Sequence, residues 1–150
     1  MKSNDNLALS DEHVIMFFRK LKIELNCTSM RKTISQVRAI LSKIKGSYSA
    51  REITELIDKT PPLLHFVLIG NSRYEQDHKP IVHLDELVDT LYNEDERQPR
   101  NRLFRSEIEA LGTVLIVLKR FQSLFTYAGM KIFPYVLSNE LQQAVTEEAV

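Results

Sequence analysis

Two histidines and three carboxylates crowd into residues 77–86, the first place in this sequence where metal chemistry could arise. Nitrogen and oxygen ligands of this kind suit Zn²⁺. The spacing matches no established site, however, and Pro80 between the two histidines prevents the i, i+4 geometry of one helix face. We therefore expect a solvated loop and no bound metal or cofactor. A metal-binding protein or enzyme that uses His78 and His83 is kept as a further alternative.

Other residue patterns that carry catalysis are missing from the sequence. A cysteine nucleophile needs a histidine and an orienting group beside it, and nothing near the single cysteine, Cys27, indicates either. There is no glycine-rich phosphate loop, no serine in a nucleophile elbow, and no Glu-x-x-His pair for a di-iron centre. His13 fits the first turn of a surface helix, and His65 fits a hydrogen-bonded position in an apolar helix. We expect no catalytic residues.

A cluster of four arginines lies between two predicted helices: Arg97, Arg100, Arg102 and Arg105. Such a cluster could contact a phosphate backbone. The acidic run at residues 94–96 directly precedes it and would repel the same phosphates or pair with the arginines. We therefore expect a solvated linker with local ion pairs. A small nucleic-acid-binding regulator that uses residues 97–105 is the alternative function.

The candidate partner-binding surface is aromatic. Five aromatic side chains lie in residues 121–135, beside Met130: Phe121, Phe125, Tyr127, Phe133 and Tyr135. Tyrosine, phenylalanine and methionine are enriched at the centres of protein interfaces. We expect a non-enzymatic protein–protein interaction or self-association module. It would bind either a protein partner or a second copy of itself in a homodimer. The residues predicted to make the contact are Phe125, Tyr127, Met130 and Tyr135.

Composition indicates one ordinary globular domain over residues 1–150. The chain is 43% hydrophobic and 27% charged, and its 20 basic and 20 acidic side chains cancel. A net charge of zero gives no global attraction to nucleic acid or to a membrane surface. The first 75 residues carry 12 basic and 8 acidic side chains, and the last 75 carry 8 and 12. This opposite charge on the two halves favours association of copies.

Cysteine use and the first residues predict the compartment. One cysteine excludes an intramolecular disulfide, and residues 1–13 lack the apolar core of a signal peptide. A bilayer-spanning helix needs about 20 apolar residues, and the most apolar stretch is shorter and more interrupted than that. We expect a cytoplasmic protein with no membrane segment.

That most apolar stretch, residues 106–121, is the predicted centre of the fold. Ser106 and Glu109 have the spacing of a capping box. Lys119 and Arg120 suit the negative end of a helix dipole. The residues between are apolar nearly all round, whereas a surface helix has one apolar stripe. We therefore predict a buried central helix in an all-α domain.

Helical periodicity elsewhere predicts a helical bundle of about eight helices. The predicted segments are residues 11–25, capped by Ser10; 30–44; a short helix that a Ser49–Glu52 capping box starts and Thr60 ends; and residues 63–69, 84–91, 106–121, 127–132 and 134–144.

The order of these segments repeats along the chain. Five aliphatic residues in 34–44 correspond to five in 108–118 at a constant offset of 74. The first-helix pattern returns at offset 70, and the proline-opened helix returns at offset 73. We predict two similar half-repeats, residues 11–72 and 83–146, joined by a linker loop at 71–83. Because neither half could cover its own apolar face, we expect them to pack about a pseudo-two-fold axis.

This paired layout resembles a family of small, duplicated, all-helical bacterial proteins of unknown function. Members of that family carry a Leu-Pro-centred motif in each half, where this chain has Thr60-Pro61 and Phe133-Pro134. The resemblance covers roughly residues 11–145. It implies a duplicated all-α fold and no particular activity.

Overall fold

The computed structural model describes residues 9–44, 49–68, 81, 83–129 and 137–143. Within these ranges every regular element is helical, which confirms the all-α prediction. Residues 137–143 are helical too. Residues 71–80 and 82 of the predicted linker loop at 71–83, and residues 130–132 of the predicted segment at 127–132, lie outside the described residues. The remaining elements, in chain order, are α1 (Asp11–Glu24), α2 (Met30–Ile44), α3 (Ala50–Lys59), α4 (Pro62–Leu68), α5 (Leu84–Glu96), a 3₁₀ turn (Pro99–Asn101) and α6 (Glu107–Tyr127).

Capping boxes start α1 and α3. The Ser10 hydroxyl accepts the amide hydrogen of His13, and the His13 ring accepts the amide hydrogen of Ser10 in return. Histidine thus takes the place that glutamate or glutamine usually holds in this motif. Ser49 and Glu52 make the predicted reciprocal pair at the start of α3. These bonds satisfy amides that a helix leaves without partners at its first turn.

The turn between α1 and α2 depends on Asn26, whose φ of 56° lies in the left-handed region. Asparagine enters this region more readily than most residues because its short side chain can bond locally. The amides of Asn26 and Cys27 donate to carbonyls in the last turn of α1. The chain therefore reverses within a few residues, and α1 and α2 pack side by side.

Four longer helices form the body of the fold. α1 packs on α2 and α5 packs on α6, and contacts of α1 with α6, of α2 with α5 and of α2 with α6 join the two pairs. α4 packs against α1 and α2, and α3 packs against α4. The core between the four helices includes the completely buried side chains of Val37, Ile40, Leu41, Val114 and Leu118.

α6 is longer and less enclosed than the sequence predicts. It has 21 residues and continues to Tyr127, which was assigned to a separate segment. Its buried side chains lie on one side of the helix, because α1, α2 and α5 cover only that side. The expectation that this helix is buried all round is therefore wrong. The buried residues are Ala110, Thr113, Val114, Val117, Leu118, Phe121 and Phe125.

The buried positions of α2 recur in α6 at an offset of 77 rather than the predicted 74. The buried residues of α2 are Thr33, Gln36, Val37, Ile40, Leu41 and Ile44, and every residue 77 positions later is buried in α6. At offset 74, the buried Val37 and Leu41 correspond instead to Leu111 and Leu115, which are partly exposed. Because a helix repeats every 3.6 residues, two apolar patterns align nearly as well one turn away. The sequence pattern alone therefore aligned α2 with α6 about one helical turn away from the alignment that the buried positions show.

Candidate functional site

An apolar surface lies on the outer side of the first half of α6. We call it the α6 outer face, and it consists of Ile108, Leu111, Gly112, Leu115 and Ile116. At 100° per residue these positions span an arc of about 140° opposite the buried side. Ile108 is 83% exposed and Leu111 is 39% exposed. Leu115 and Ile116 are partly buried and pack against the core.

Gly112 lies at the centre of this face. Among the residues that the structure describes, no atom would lie within 4 Å of a Cβ built at this position. Glycine inside a helix is less stable than alanine by about 0.5–1 kcal/mol. The described residues therefore show no crowding that requires glycine here.

Local hydrogen bonds position the start of this face. The Ser106 hydroxyl accepts the amide hydrogen of Glu109 at 3.1 Å, as the sequence predicts. The carboxylate of Glu109 accepts the amide hydrogen of Arg105, at 3.2 Å, instead of completing the predicted box with Ser106. Both bonds hold the first turn of α6 in place, directly beside Ile108.

Charged side chains lie at both ends of the face. Arg105 and Glu109 lie at its first end, where their formal charges cancel. Lys119 and Arg120 lie at its second end.

Arg120 itself is paired with Glu24 of α1. The Arg120 Nε lies 2.7 Å from Glu24 Oε1, and its second nitrogen lies 2.6 Å from Oε2. The hydrogen bond from Arg120 lowers the pKa of Glu24. With this pair neutralised, the charge of Lys119 leaves the second end of the face net positive.

Of the four arginines in residues 97–105, Arg102 is part of the fold. Its Nε donates to the Asp95 carboxylate at 3.1 Å, and its terminal nitrogen donates to the carbonyl of Phe104 at 3.2 Å. Its guanidinium also lies 5.6 Å from the centre of the Tyr92 ring, a cation–π distance. The bond to Asp95 raises the pKa of Arg102. This side chain is committed to holding the segment that leads into α6.

All four arginines are exposed, Arg102 as well as Arg97, Arg100 and Arg105. The expected local pairing with the acidic run is present only in part. Asp95 pairs with Arg102, whereas Glu94 pairs with Lys43 of α2 at 2.6 Å.

Asp95 is the functional-looking residue that the sequence analysis missed, and its role is structural. Its side chain is 5% exposed. It accepts the amide hydrogens of Leu103 at 2.8 Å and of Phe104 at 2.9 Å, in addition to the bond from Arg102. A buried carboxylate needs such partners, because an unpaired one is costly. In sequence, Asp95 cannot be told apart from its two acidic neighbours.

Gln36 holds the same segment from the other side. Its amide nitrogen donates to the carbonyl of Leu103 at 2.8 Å, and its oxygen accepts from the Cys27 thiol at 3.3 Å. Cys27 is partly buried, and the expectation that it packs without a catalytic partner remains a prediction.

The predicted aromatic surface is divided by the structure. Phe125 is 2% exposed, and its ring packs against Phe121 with centroids 5.8 Å apart. It belongs to the core, so it cannot line an exposed surface. Tyr127 is 55% exposed and meets His13 edge-on, with ring centroids 5.9 Å apart. Met130 and Tyr135, the other two predicted contacts, lie outside the described residues.

The predicted histidine loop is described only at His83. The His83 Nδ1 lies 3.2 Å from Glu140 Oε2, and Glu140 Oε1 accepts the amide hydrogen of Leu84 at 2.7 Å. His78 lies outside the described residues. Among the residues that the structure describes, no group of three or more His, Cys, Asp or Glu side chains is arranged to hold a metal ion. The Nε2 of His65 donates to the carbonyl of Thr60 at 2.8 Å, in agreement with its predicted hydrogen-bonded position.

A shallow groove of about 400 Å³ runs between α1 and α6. Its walls are mainly apolar, and the Arg120–Glu24 pair lies at its edge. Ligand sites combine apolar walls with a few converging polar groups. Here the paired charges satisfy each other, so the groove indicates no ligand class. It is lined by Phe17, Lys20, Leu21, Ile23, Glu24 and Arg120.

Comparison of the chain with models of protein families, with characterised proteins and with solved structures gave no match. Among the described helices, none combines the length and apolarity needed to cross a membrane.

Proposed function

We propose that this chain is a non-enzymatic self-association module that forms a homodimer through the α6 outer face. The observation that carries the proposal is the exposure of Ile108, 83%, within a continuous apolar face. Single exposed apolar residues are ordinary on protein surfaces. A contiguous apolar face on one helix is less ordinary and marks a site of interaction.

A second copy is the occupant that we propose. A two-fold interface is self-complementary, because each residue that contacts a position in the partner is contacted by that position in return. Antiparallel packing of two α6 helices would set Arg105 and Glu109 of one copy towards Lys119 of the other. A parallel pairing would place like charges together. The chain has zero net charge, so two copies do not repel each other overall.

The expected affinity is modest. Complete burial of an isoleucine or leucine side chain contributes about 1.5–3 kcal/mol, so a two-fold interface that buries Ile108 and Leu111 of both copies gains at most about 12 kcal/mol. Association costs at least about 4 kcal/mol in lost translational and rotational freedom. A face of this size therefore supports a dissociation constant of about 1 μM or weaker.

The proposed partner is of the predicted type, but the proposed contact lies on the α6 outer face instead of on the predicted aromatic residues. Phe125 is in the core, and Tyr127 lies at the far end of α6 from Ile108. Nucleic-acid binding by the arginine segment has less support, because Arg102 is paired with Asp95 and three other arginines remain for phosphate contacts.

Sedimentation over a range of protein concentrations tests the proposal. We expect wild type to shift from monomer to dimer as concentration rises. Ile108→Asp should weaken the dimer by at least about 100-fold, because it would bury a carboxylate without a partner. Helical circular dichroism should not change, since the side chain is exposed in the monomer.

The matched control is Ile57→Asp, which places the same charge at an exposed isoleucine of α3. We expect this variant to dimerise like wild type. A monomeric wild type at all concentrations would refute self-association. Equal weakening by both variants would place the contact elsewhere.

We also propose that the chain is an internal duplication with a pseudo-two-fold arrangement of its halves. The packing of α1 on α2 parallels that of α5 on α6, and the contact of α1 with α6 parallels that of α5 with α2. The buried positions of α2 and α6 correspond at offset 77. Those of α1 and α5 include three pairs at offset 70: Val14 and Leu84, Phe18 and Val88, Leu21 and Leu91. These correspondences support the resemblance to duplicated all-helical bacterial proteins.

A further inference from the structure

We infer that the capping box at the start of α1 is a pH-sensitive latch, in which neutral His13 holds the chain before the helix and protonated His13 releases it. The latch consists of Leu9, Ser10 and His13. It does not depend on the self-association proposed above. Three observations support it: the hydrogen bond that the His13 ring accepts, the attachment of Leu9 to the core, and the contrast with the capping box of α3.

The His13 ring accepts a hydrogen bond that only its neutral form can make. The Ser10 amide donates to the Nδ1 of His13 at 3.2 Å. A neutral imidazole has one ring nitrogen that accepts, whereas both nitrogens of the protonated ring carry hydrogen and donate. Protonation therefore removes the acceptor and sets two donors against each other. His13 is exposed, so the proton can reach the ring without unfolding of the helix.

The place of His13 in the helix acts in the same direction. The residue lies in the first turn of α1, where the helix dipole disfavours a positive charge. A protonated ring is therefore driven away from the position in which it meets Ser10. Asp11 and Glu12 lie in the same turn and attract the protonated ring. They favour the proton but return no acceptor to Nδ1, so the bond is lost as the pH falls.

The neighbouring helices bring one aromatic ring to His13. Tyr127 of α6 meets it edge-on, with ring centroids 5.9 Å apart. Other charged or titratable side chains of the helices around the start of α1 have partners of their own: Lys43 with Glu94, Lys59 with Glu55, and His65 with the carbonyl of Thr60. His65 donates its bond in either protonation state. Of the groups named here, His13 is the one whose protonation removes a bond to the segment before α1.

Leu9 gives the bond its consequence. The Leu9 side chain is 6% exposed and packs in the core, and its amide donates to the carbonyl of Lys59 at 3.0 Å. The bond between Ser10 and His13 fixes the direction in which the chain passes from Leu9 into α1. When that bond opens, the box keeps only the bond from the His13 amide to the Ser10 hydroxyl. Leu9 should then leave the core more readily.

The capping box of α3 has the same pattern of bonds, with a carboxylate in place of the ring. The Ser49 amide donates to the Glu52 carboxylate at 2.8 Å, and the Ser49 hydroxyl accepts the Glu52 amide hydrogen at 3.1 Å. A carboxyl group keeps an acceptor oxygen whether it is ionised or protonated. This box should therefore stay closed over roughly pH 5–8, where a histidine ordinarily changes its charge. It is the internal control for the latch.

NMR spectroscopy of the full chain tests the latch. From about pH 7.5 to about pH 5.5, the amide-exchange protection of Leu9 and Ser10 should fall about 2- to 10-fold, the range that one net hydrogen bond gives. The Leu9 methyl signals should move towards their unfolded positions with the same midpoint as the His13 ring signals. Protection of the Ser49 amide should stay constant. A His13 ring that titrates without any change at Leu9 and Ser10 would overturn the inference.

Two variants exchange the acceptors of the two boxes. His13→Gln keeps an acceptor at every pH, so the protection of Leu9 and Ser10 should no longer depend on pH. Glu52→His should make the Ser49 amide sensitive to pH over the same range. The first variant also separates the effect of His13 from that of the other three histidines. A pH-dependent loss of protection at Ser10 that persists in His13→Gln would assign the effect to another group and overturn the latch.

Discussion

The carboxylate of Asp95 accepts the amide hydrogen of Phe104 at 2.9 Å, and this contact determines where the chain turns into α6. Asp95 lies in the last turn of α5, and Phe104 is a buried aromatic residue shortly before α6 begins. The same carboxylate also accepts from the Leu103 amide and from Arg102. One side chain thus satisfies three donors in a segment that has no helix of its own. Residues 102–104 are held at a defined place, and the α6 outer face is positioned by them.

Asp95→Ala should therefore be among the most damaging changes to a polar residue in this chain. It leaves two buried amides without acceptors, and each such group costs about 1–3 kcal/mol. We expect the free energy of unfolding in urea to fall by about 2–4 kcal/mol. The matched control is Glu96→Ala, the exposed neighbour, which should change it by less than about 0.5 kcal/mol. Similar small losses in both variants would show that the Asp95 contacts do not stabilise the fold.

Glu140 caps α5 from another part of the chain. His83, the residue before the helix, makes no side-chain capping bond, and Glu140 instead accepts the amide hydrogen of Leu84. This bond, and secondly the one to His83, lower the pKa of Glu140 from its ordinary value of 4.5. A lowered folded-state pKa means that the carboxylate stabilises the fold above the unfolded pKa and that this stability is lost as the pH falls through the folded pKa.

Glu140→Gln should consequently reduce the melting temperature at pH 7, and the difference from wild type should shrink as the pH falls below 4.5, the ordinary glutamate value. The glutamine can still accept from Leu84 but carries no charge to favour the helix start. Thermal unfolding from neutral to acidic pH measures the effect. Glu96→Gln, at the opposite end of α5, is the control and should show no such pH-dependent loss. A constant difference at every pH would assign the effect to shape rather than to charge.

Three leucines test the register of the core. Leu41 and Leu118 are completely buried and correspond at offset 77, so each change to alanine should cost about 2–5 kcal/mol. Leu115, which the sequence paired with Leu41, is only partly buried, and Leu115→Ala should cost about 1 kcal/mol in the monomer. Urea unfolding at low protein concentration gives the three values. A loss at Leu115 as large as that at Leu118 would contradict the observed register.

Some features of this protein could be predicted from its sequence because the residues that form them lie within a few positions of each other. Ser49 and Glu52 form their capping box within one turn, and Ser106 caps α6, because the partners are fixed by three-residue spacing. The all-α class follows from apolar periodicity in the same way. The first-helix stripe around Val14 and Phe18 also has its predicted burial. None of these depends on how the helices are arranged in space.

The tertiary structure alone decided which apolar side chains are covered and which polar ones are held. Phe125 and Tyr127 are two residues apart in one aromatic cluster, yet one is buried and the other exposed, because α6 continues through both and only one side of it meets other helices. Ile108 is exposed for the same reason, although isoleucine is a residue type that is usually buried. Gln36 meets the carbonyl of Leu103 from 67 residues away. Burial and long-range hydrogen bonding depend on how elements far apart in sequence pack together. They cannot be deduced from the spacing of neighbouring residues.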